Sequence, residues 1–271
     1  MGHWTLEDIP WERFDRAMVD PEILRIVKAA SLVEHNGAAY AHHLCRVFAD
    51  DPEFQETARG WGEEEVQHGV ALARWAALAD PDYDVADAFA RFQAGFKIDF
   101  DSDRSRRGSR AGEMVARCVV EIGTSSYYSA LRDASREPVL QAICRHIAAD
   151  ELRHYRLFYK HLDRCLVHER LGRVARLRIA FGRVAESEDD ELAYAYYAAN
   201  DGVRRYDRRH CSKAYARRAL VLYRPAHVER GIAMLLKAVG LTPNGRLGLL
   251  LSRIAWQAMR LRASWLANSA A

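Results

Sequence analysis

The 271-residue chain is 49% hydrophobic and 28% charged, which is typical of a folded globular protein and excludes a disordered one. Its five cysteines are scattered without a CxxC pair, which excludes a disulfide framework, a zinc ribbon and a rubredoxin-type iron centre. The net charge of +3 is uneven, because residues 204–271 hold 14 Lys and Arg against two acidic residues. The N-terminus is acidic and aromatic, and no apolar run is long enough for a spanning helix, so we expect a cytoplasmic protein.

Helices are predicted along almost the whole chain. Ala, Leu, Arg and Glu dominate long segments in which Gly and Pro are sparse, and the alternating pattern of strands is missing. Residues 1–19 form an N-terminal segment. The first four helices are predicted at residues 20–49, 52–79, 111–135 and 138–168. Pro52 and Pro138 stand where a helix can begin but not continue.

The remaining segments complete an all-α architecture. Residues 80–110 form a long connection with Gly and Ser clusters, and residues 169–271 form a helical extension with a basic C-terminal part. Shorter helices are predicted at about 169–185, 188–200, 204–222, 226–239 and 245–266. Two helix pairs with tight internal turns and one long crossover predict a four-helix bundle over residues 20–168.

A Glu-x-x-His motif occurs twice, once in each predicted helix pair. Glu65 and His68 lie in GWGEEEVQHGVAL, and Glu151 and His154 lie in IAADELRHYRLFYKHL. Residues three apart share one face of a helix, so each carboxylate is expected beside its imidazole.

Each motif is preceded by a Glu in an apolar segment of the previous helix of its pair. Glu34 lies 31 residues before Glu65, and Glu121 lies 30 residues before Glu151. Both Glu34 and Glu121 occur among apolar or small residues, where an unpaired carboxylate costs several kcal/mol, so each needs a partner. A polar network without metal would also supply partners.

Four carboxylates and two imidazoles form a ligand set for two metal ions. Two divalent ions need bridging and terminal oxygen ligands and one nitrogen donor each, and four carboxylates neutralise their charge. One Glu from each of two helices, with Glu-x-x-His from each of two others, is the arrangement of di-iron and di-manganese carboxylate bundles. The predicted ligands are Glu34, Glu65, His68, Glu121, Glu151 and His154. Two iron ions are expected, and a manganese–iron pair is also compatible with these ligands.

Three neighbouring residues are candidates for supporting the site. Glu64 and Asp150 each precede a motif Glu and are placed to accept a hydrogen bond from the second ring nitrogen of a ligand histidine. A solvated acidic edge is the alternative for this pair. Thr124 lies three residues after Glu121, and its hydroxyl is predicted either to take part in dioxygen activation or to bond back to its own helix.

The residues around both motifs resemble those of soluble acyl-acyl-carrier-protein desaturases. In that family, a W-x-x-EE-x-x-HG stretch and an AADE-x-RH stretch carry iron ligands. The matching positions are Trp61, Glu64, Glu65, His68 and Gly69, followed by Ala148, Ala149, Asp150, Glu151, Arg153 and His154. The resemblance covers residues 20–168, and its ligand pattern is shared by the wider ferritin-like superfamily.

The resemblance implies a ferritin-like fold and a dioxygen-dependent oxidoreductase that acts on an unactivated C–H bond. Desaturation or hydroxylation of an acyl chain is the expected reaction. Two electrons would come from a separate ferredoxin or reductase, because the chain has no flavin or iron–sulfur motif. The alternative is a ferritin- or rubrerythrin-like protein that handles iron or scavenges peroxide without an organic substrate.

The basic region at residues 204–271 predicts an acidic partner. An acyl carrier protein, a ferredoxin and an anionic membrane surface all fit, the last with a peripheral position at the inner face of the membrane. Residues 244–266 combine Leu, Ile, Trp and Arg at helical spacing, as interfacial helices do. Nucleic acid is disfavoured, because no recognition motif accompanies the charge. The alternatives are a helix that packs its apolar side on the bundle, and a homodimer.

Overall fold

The computed structural model describes residues 4–96, 104–186, 190–202, 204–243 and 245–268. Over these residues the chain folds into α-helices, with single-turn 3-10 segments near the N-terminus and no strand. This confirms the predicted all-α class. None of the helices in this part of the chain is both long and apolar enough to cross a membrane.

The prediction of one continuous helix over residues 20–49 is wrong. The structure divides this segment into α1, Pro21–His35, and α2, Gly37–Val47. Asn36 leaves the helical conformation, with φ −82° and ψ 6°. Asn and Gly both have low helix propensity, so the Asn-Gly step is where the helix breaks. The next helix, α3, spans Pro52–Ala79 and packs against both α1 and α2.

The long connection at residues 80–110 contains a helix that the sequence did not predict. This helix, α4, spans Val85–Gly95 and begins at the N-cap residue Asp84. It is short and is bordered by Asp and Gly, which favoured a loop interpretation, but it buries Phe92 in an apolar cluster. The Gly and Ser clusters of the connection lie partly in residues 97–103, outside the described residues.

The second helix pair agrees with the sequence prediction. The helices α5, Arg110–Ala134, and α6, Pro138–His168, pack against each other, and α6 also contacts α3. The buried carboxylate of Glu137 begins α6 by accepting a hydrogen bond from the Leu140 amide at 2.7 Å. It also accepts from Trp75 Nε1 on α3 at 2.7 Å, which joins the two helix pairs at this end.

The interior of these helices is divided into two apolar clusters. One lies toward the α5–α6 turn and includes Ile26, Trp75 and Ile143. The other lies toward the opposite end and includes Phe54 and Phe158. Along the helices, the predicted ligands fall at the boundary between these clusters, so the polar layer has apolar packing on both sides.

The extension after residue 168 forms helices close to the predicted positions. They are α7, Arg173–Glu186; α8, Asp190–Asn200; α9, Arg208–Leu220; α10, Pro225–Ala238; and α11, Arg246–Asn268. The helices α8 and α9 contact α1, α7 and α10 contact α5, and α11 contacts α9 and α10. Part of the basic region pairs with the acidic N-terminal part, because Arg218 lies 3.0 Å from a carboxylate oxygen of Glu22. Residues 244 and 269–271 of the basic region lie outside the described residues.

We expect Glu137→Ala to destabilise the protein by about 2–4 kcal/mol. The change removes the N-cap of α6, which costs about 1 kcal/mol. It also leaves the buried Trp75 N–H without its acceptor, which costs about 1–3 kcal/mol. Chemical denaturation followed by circular dichroism measures the loss. Asp207→Ala, at the exposed N-cap of α9, is the control and should cost about 1 kcal/mol; equal losses for the two variants would contradict the buried role of Glu137.

Candidate metal centre

The six predicted ligands meet in one buried site between the two apolar clusters. Helix α1 contributes Glu34, α3 contributes Glu65 and His68, α5 contributes Glu121, and α6 contributes Glu151 and His154. Each of these side chains belongs to a residue that is at most 6% exposed. The helices therefore bring together, out of water, groups that are separated by up to 120 residues in the sequence.

The six side chains form two overlapping groups. The first group is Glu34, Glu65, His68 and Glu151, and the second is Glu65, Glu121, Glu151 and His154. In each group, one ligand atom per residue lies within 4.8 Å of the others. Glu65 and Glu151 belong to both groups and are placed to bridge two ions, while each group has one Glu and one His of its own.

The imidazole of His68 has one nitrogen toward the carboxylates and one away from them. Nδ1 lies 3.3 Å from Glu151 Oε1 and 3.8 Å from Glu34 Oε2. On the outer side, Nε2 lies 3.0 Å from Asp150 Oδ2. A carboxylate that accepts the Nε2 proton leaves Nδ1 with a lone pair directed at the group.

His154 repeats this arrangement in the second group. Its Nδ1 lies 3.0 Å from Glu65 Oε1 and 3.6 Å from Glu121 Oε2, and its Nε2 lies 2.6 Å from Glu64 Oε2. The ring of Trp61 stands edge-on to this imidazole, with centroids 6.4 Å apart. The structure thus places Glu64 and Asp150 on the outer nitrogens of the two histidines.

One arginine joins these two outer carboxylates. The guanidinium of Arg153 lies 2.5 Å from Asp150 Oδ1 and also contacts Glu64. Burial opposes ionisation of Glu64 and Asp150, but their histidine and Arg153 contacts outweigh it and hold the pKa of both carboxyls below the ordinary values. Both groups are therefore ionised acceptors at neutral pH.

The inward atoms of the site have no hydrogen-bond partner among the described residues. They are Nδ1 of His68 and His154, Oε1 of Glu65 and Glu151, and both carboxylate oxygens of Glu121. Buried polar atoms in folded proteins are nearly always paired, and a cation held by these side chains would pair with all of these atoms. Carboxylate and imidazole are donors that suit iron or manganese, and the residues present fit two such ions.

Close helix crossing depends on two glycines beside the ligands. A Cβ atom at Gly69 would lie 2.4 Å from the backbone nitrogen of His35, and one at Gly37 would lie 2.3 Å from Glu65 Cβ. A larger residue at either position would force α3 away from α1 and α2. Glycine is therefore required for Glu34 and His68 to reach the same site.

Thr124 contacts both its own helix and the site. Its Oγ1 lies 3.2 Å from the Val120 carbonyl oxygen, 3.3 Å from that of Glu121, and 2.5 Å from Glu151 Oε2. Because a hydroxyl has one proton, it donates to one of these acceptors at a time. The structure thus combines the back-bonding expected from the sequence with direct contact to a candidate bridging carboxylate.

Two aromatic residues at the site were not found from the sequence. Tyr128 donates to Glu34 Oε1 at 2.5 Å, and Trp4 Nε1 donates to Asp150 Oδ2 at 2.6 Å. The Trp4 ring also lies parallel to that of His68, with centroids 6.1 Å apart. Tyr128 could have been predicted, because it lies two helical turns after Glu121 on the same face. Nothing in the sequence indicated a role for Trp4, because it lies in the N-terminal segment, outside both copies of the motif.

The cluster holds protons when no metal is bound. Burial, with the nearby charge of Glu65, raises the pKa of Glu34 to about 8. Burial likewise raises the pKa of Glu121 and Glu151. Burial opposes the charged form of His68, but the surrounding carboxylates outweigh it and raise its pKa well above the ordinary value. The carboxylates around His154 have the same effect on its pKa.

We expect single ligand variants to separate the two groups by metal content. Glu65→Ala removes a carboxylate that both groups share and should abolish binding of both ions. Glu34→Ala affects the first group alone and should leave about one ion per chain in place of two. Elemental analysis of protein grown with ample iron and manganese measures this. Glu63→Ala, at an exposed position of α3, is the control and should keep the full content; wild-type protein without metal would refute the metal centre.

We expect metal-free protein to lose thermal stability as pH rises between about 6.5 and 8. Groups with a raised pKa in the folded state stabilise it below their unfolded pKa, and this contribution is lost as pH rises through the folded pKa. Glu34, His68 and His154 act in this direction. Groups with a lowered pKa act oppositely, but Glu65 does so only below its ordinary value of 4.5, and His35, His146 and His161 only below theirs of 6.5. Calorimetry with a chelator should show the fall and metal-loaded protein should not; a rise in the metal-free melting temperature over this range would contradict it.

No protein-family model matches the sequence, and comparison with curated proteins finds no significant match.

Proposed function

We propose that the chain is a ferritin-like four-helix bundle with a helical extension, and that it holds two iron ions. Its proposed activity is dioxygen-dependent oxidation of an unactivated C–H bond, by desaturation or hydroxylation of an acyl chain. The observation that carries the proposal is the pair of buried groups that share Glu65 and Glu151. A manganese–iron pair would use the same ligands.

Charge balance supports two divalent ions in this site. The four carboxylates carry four negative charges when ionised, and two neutral imidazoles add none, so two divalent ions bring the buried layer to neutrality. When bound, such an ion pair supplies reversible electron transfer and open positions for dioxygen. The ligand side chains would release their protons when metal binds, because carboxylates and imidazoles bind metal in their deprotonated forms.

The surrounding residues orient the ligands and limit the access of water. Asp150 and Glu64 accept the outer protons of the two imidazoles, which fixes the tautomer that directs Nδ1 inward. Tyr128 holds one oxygen of Glu34, and Thr124 holds a proton at Oγ1 beside Glu151. The apolar clusters on both sides keep solvent from the layer, as protection of an oxidising site requires.

A mainly apolar cavity beside α1 suits an organic substrate. Its volume is about 460 Å³, within the range of small-molecule sites. It lies between α1, α3 and α4, and Leu32, His35, Ala73, Ala86 and Phe89 are among its lining residues. Leu32 and His35 lie two residues before and one residue after Glu34, so helix α1 contributes to both the cavity wall and the first group. A cavity of this kind favours an organic substrate over the iron-handling or peroxide-scavenging alternative.

The proposed reaction requires an external electron donor. Hydroxylation consumes one dioxygen, two electrons and two protons, inserts one oxygen atom into the C–H bond and releases one water. Desaturation consumes the same reactants, removes two hydrogens from adjacent carbons and releases two waters. A ferredoxin or a reductase is the proposed source of the electrons.

We expect reduced, iron-loaded protein to consume dioxygen and convert long-chain acyl thioesters into unsaturated or hydroxylated products detected by mass spectrometry. Glu65→Ala should abolish product, and Glu63→Ala should not. Oxygen consumption that yields oxidised iron but no organic product would favour iron handling. Rapid peroxide removal without such a product would favour scavenging.

A variant in the cavity tests its role separately from the metals. Ala86→Trp places a large side chain at the cavity wall and should lower turnover of a long acyl chain by about tenfold or more while iron content stays unchanged. Ala94→Trp adds the same side chain to an exposed position of α4 that does not line the cavity. Equal turnover for the two variants would show that the cavity does not bind the substrate.

A further inference from the structure

The last described helix, α11, carries positive charge and no negative charge. Residues 246–268 contain four arginines, at positions 246, 253, 260 and 262, and lack Asp and Glu. The helix packs on α9 and α10 and makes no major contact with α1, α3, α5 or α6. Its outer side is therefore available to a partner.

Large apolar side chains form a stripe along one side of α11. The stripe consists of Leu247, Leu250, Ile254, Leu261 and Trp265, which are 52–71% exposed. At 3.6 residues per turn, these five positions fall within an arc of about 60° and extend over about 27 Å of helix. Singly exposed apolar residues are common on protein surfaces, but an aligned row of this length indicates an interaction site.

The stripe points away from the rest of the protein. Gly248, Ser252 and Leu266 are the buried residues of α11, and they lie on the opposite side of the helix. Hydrophobic contact with α9 and α10 thus uses a different face. The sequence also allowed a helix that packs its apolar side on the bundle. That arrangement explains the three buried residues but does not explain the exposed stripe.

Three arginines follow one edge of the stripe. Arg246, Arg253 and Arg260 are seven residues apart, so they lie in a row at about 90° from the stripe's centre. All three are exposed. At the C-terminal end, Lys213 of α9 lies over the Trp265 ring at 5.1 Å, which adds a further positive charge beside the stripe.

We propose that α11 docks lengthwise on an anionic lipid surface. The stripe would enter the boundary between headgroups and acyl chains, and the arginine row would remain at the level of the phosphates. Because α11 has no acidic residue, two copies paired along the stripe would oppose positive charges without compensation. A row of large apolar side chains that ends in an indole suits a hydrocarbon boundary better than the polar surface of an acidic protein. The four arginines of α11 suit a position along the surface of the bilayer.

Vesicle co-sedimentation of the full chain tests this docking. We expect binding to phosphatidylcholine vesicles that contain phosphatidylglycerol, weak binding to phosphatidylcholine alone, and loss of binding at high salt. The triple variant Arg246→Gln, Arg253→Gln, Arg260→Gln should weaken binding on the order of a hundredfold. The control triple Arg170→Gln, Arg173→Gln, Arg178→Gln changes the net charge equally at exposed positions outside α11 and should bind within a few-fold of wild type.

The apolar stripe has its own variants and readout. Leu250→Ser with Ile254→Ser should reduce vesicle binding, whereas Val174→Ser with Phe181→Ser, at exposed positions of α7, should not. Brominated lipid should quench wild-type tryptophan fluorescence more than that of Trp265→Phe. Circular dichroism and metal content establish that each variant is folded.

Three outcomes would overturn the proposal. The first is absence of binding to anionic vesicles. The second is an equal loss of binding in the α11 triple and the control triple, which would reduce the effect to overall charge. The third is self-association or binding of an acidic protein that depends on the stripe while vesicle binding does not.

Discussion

Burial of four carboxylates and two imidazoles in the middle of an apolar helical core is the constraint on which the rest of the structure depends. Such groups are costly to remove from water unless each has a partner of opposite charge or a hydrogen bond. Within the described chain, the outer atoms have such partners in Asp150, Glu64, Tyr128 and Thr124. The inner atoms have only one another, and the proposed metal ions would give them a partner of opposite charge.

The same constraint explains features that are distant from the ligands. The apolar clusters on both sides supply the stability that a polar layer in a core removes. Gly37 and Gly69 bring α3 close enough to α1 and α2 for two helices to share one site. Arg153 pairs with both outer carboxylates and offsets part of their negative charge beside the inner ligands.

Sequence reasoning identified what depends on local spacing and missed what depends on distant contacts. Glu151 and His154 could be predicted as neighbours because residues three apart share one face of a helix. The same motif at Glu65 and His68 then indicated a paired ligand set. The sequence could not show which carboxylates face both groups, because that depends on how helices cross. Nor could it find Trp4, whose indole reaches Asp150 across 146 residues. The α1–α2 break was missed because a periodic apolar pattern continues through Asn36.

The two indole rings beside the histidines give the two halves of the site different aromatic surroundings. Trp4 lies parallel to the His68 ring at 6.1 Å, and Trp61 stands edge-on to the His154 ring at 6.4 Å. A paramagnetic ion quenches a nearby fluorophore, so an ion in the proposed metal centre would lower the fluorescence of both indoles. Comparison of Trp4→Phe with Trp61→Phe would show how much each indole contributes to that change. An internal repeat that looks symmetric in sequence is, in its aromatic surroundings, two different environments.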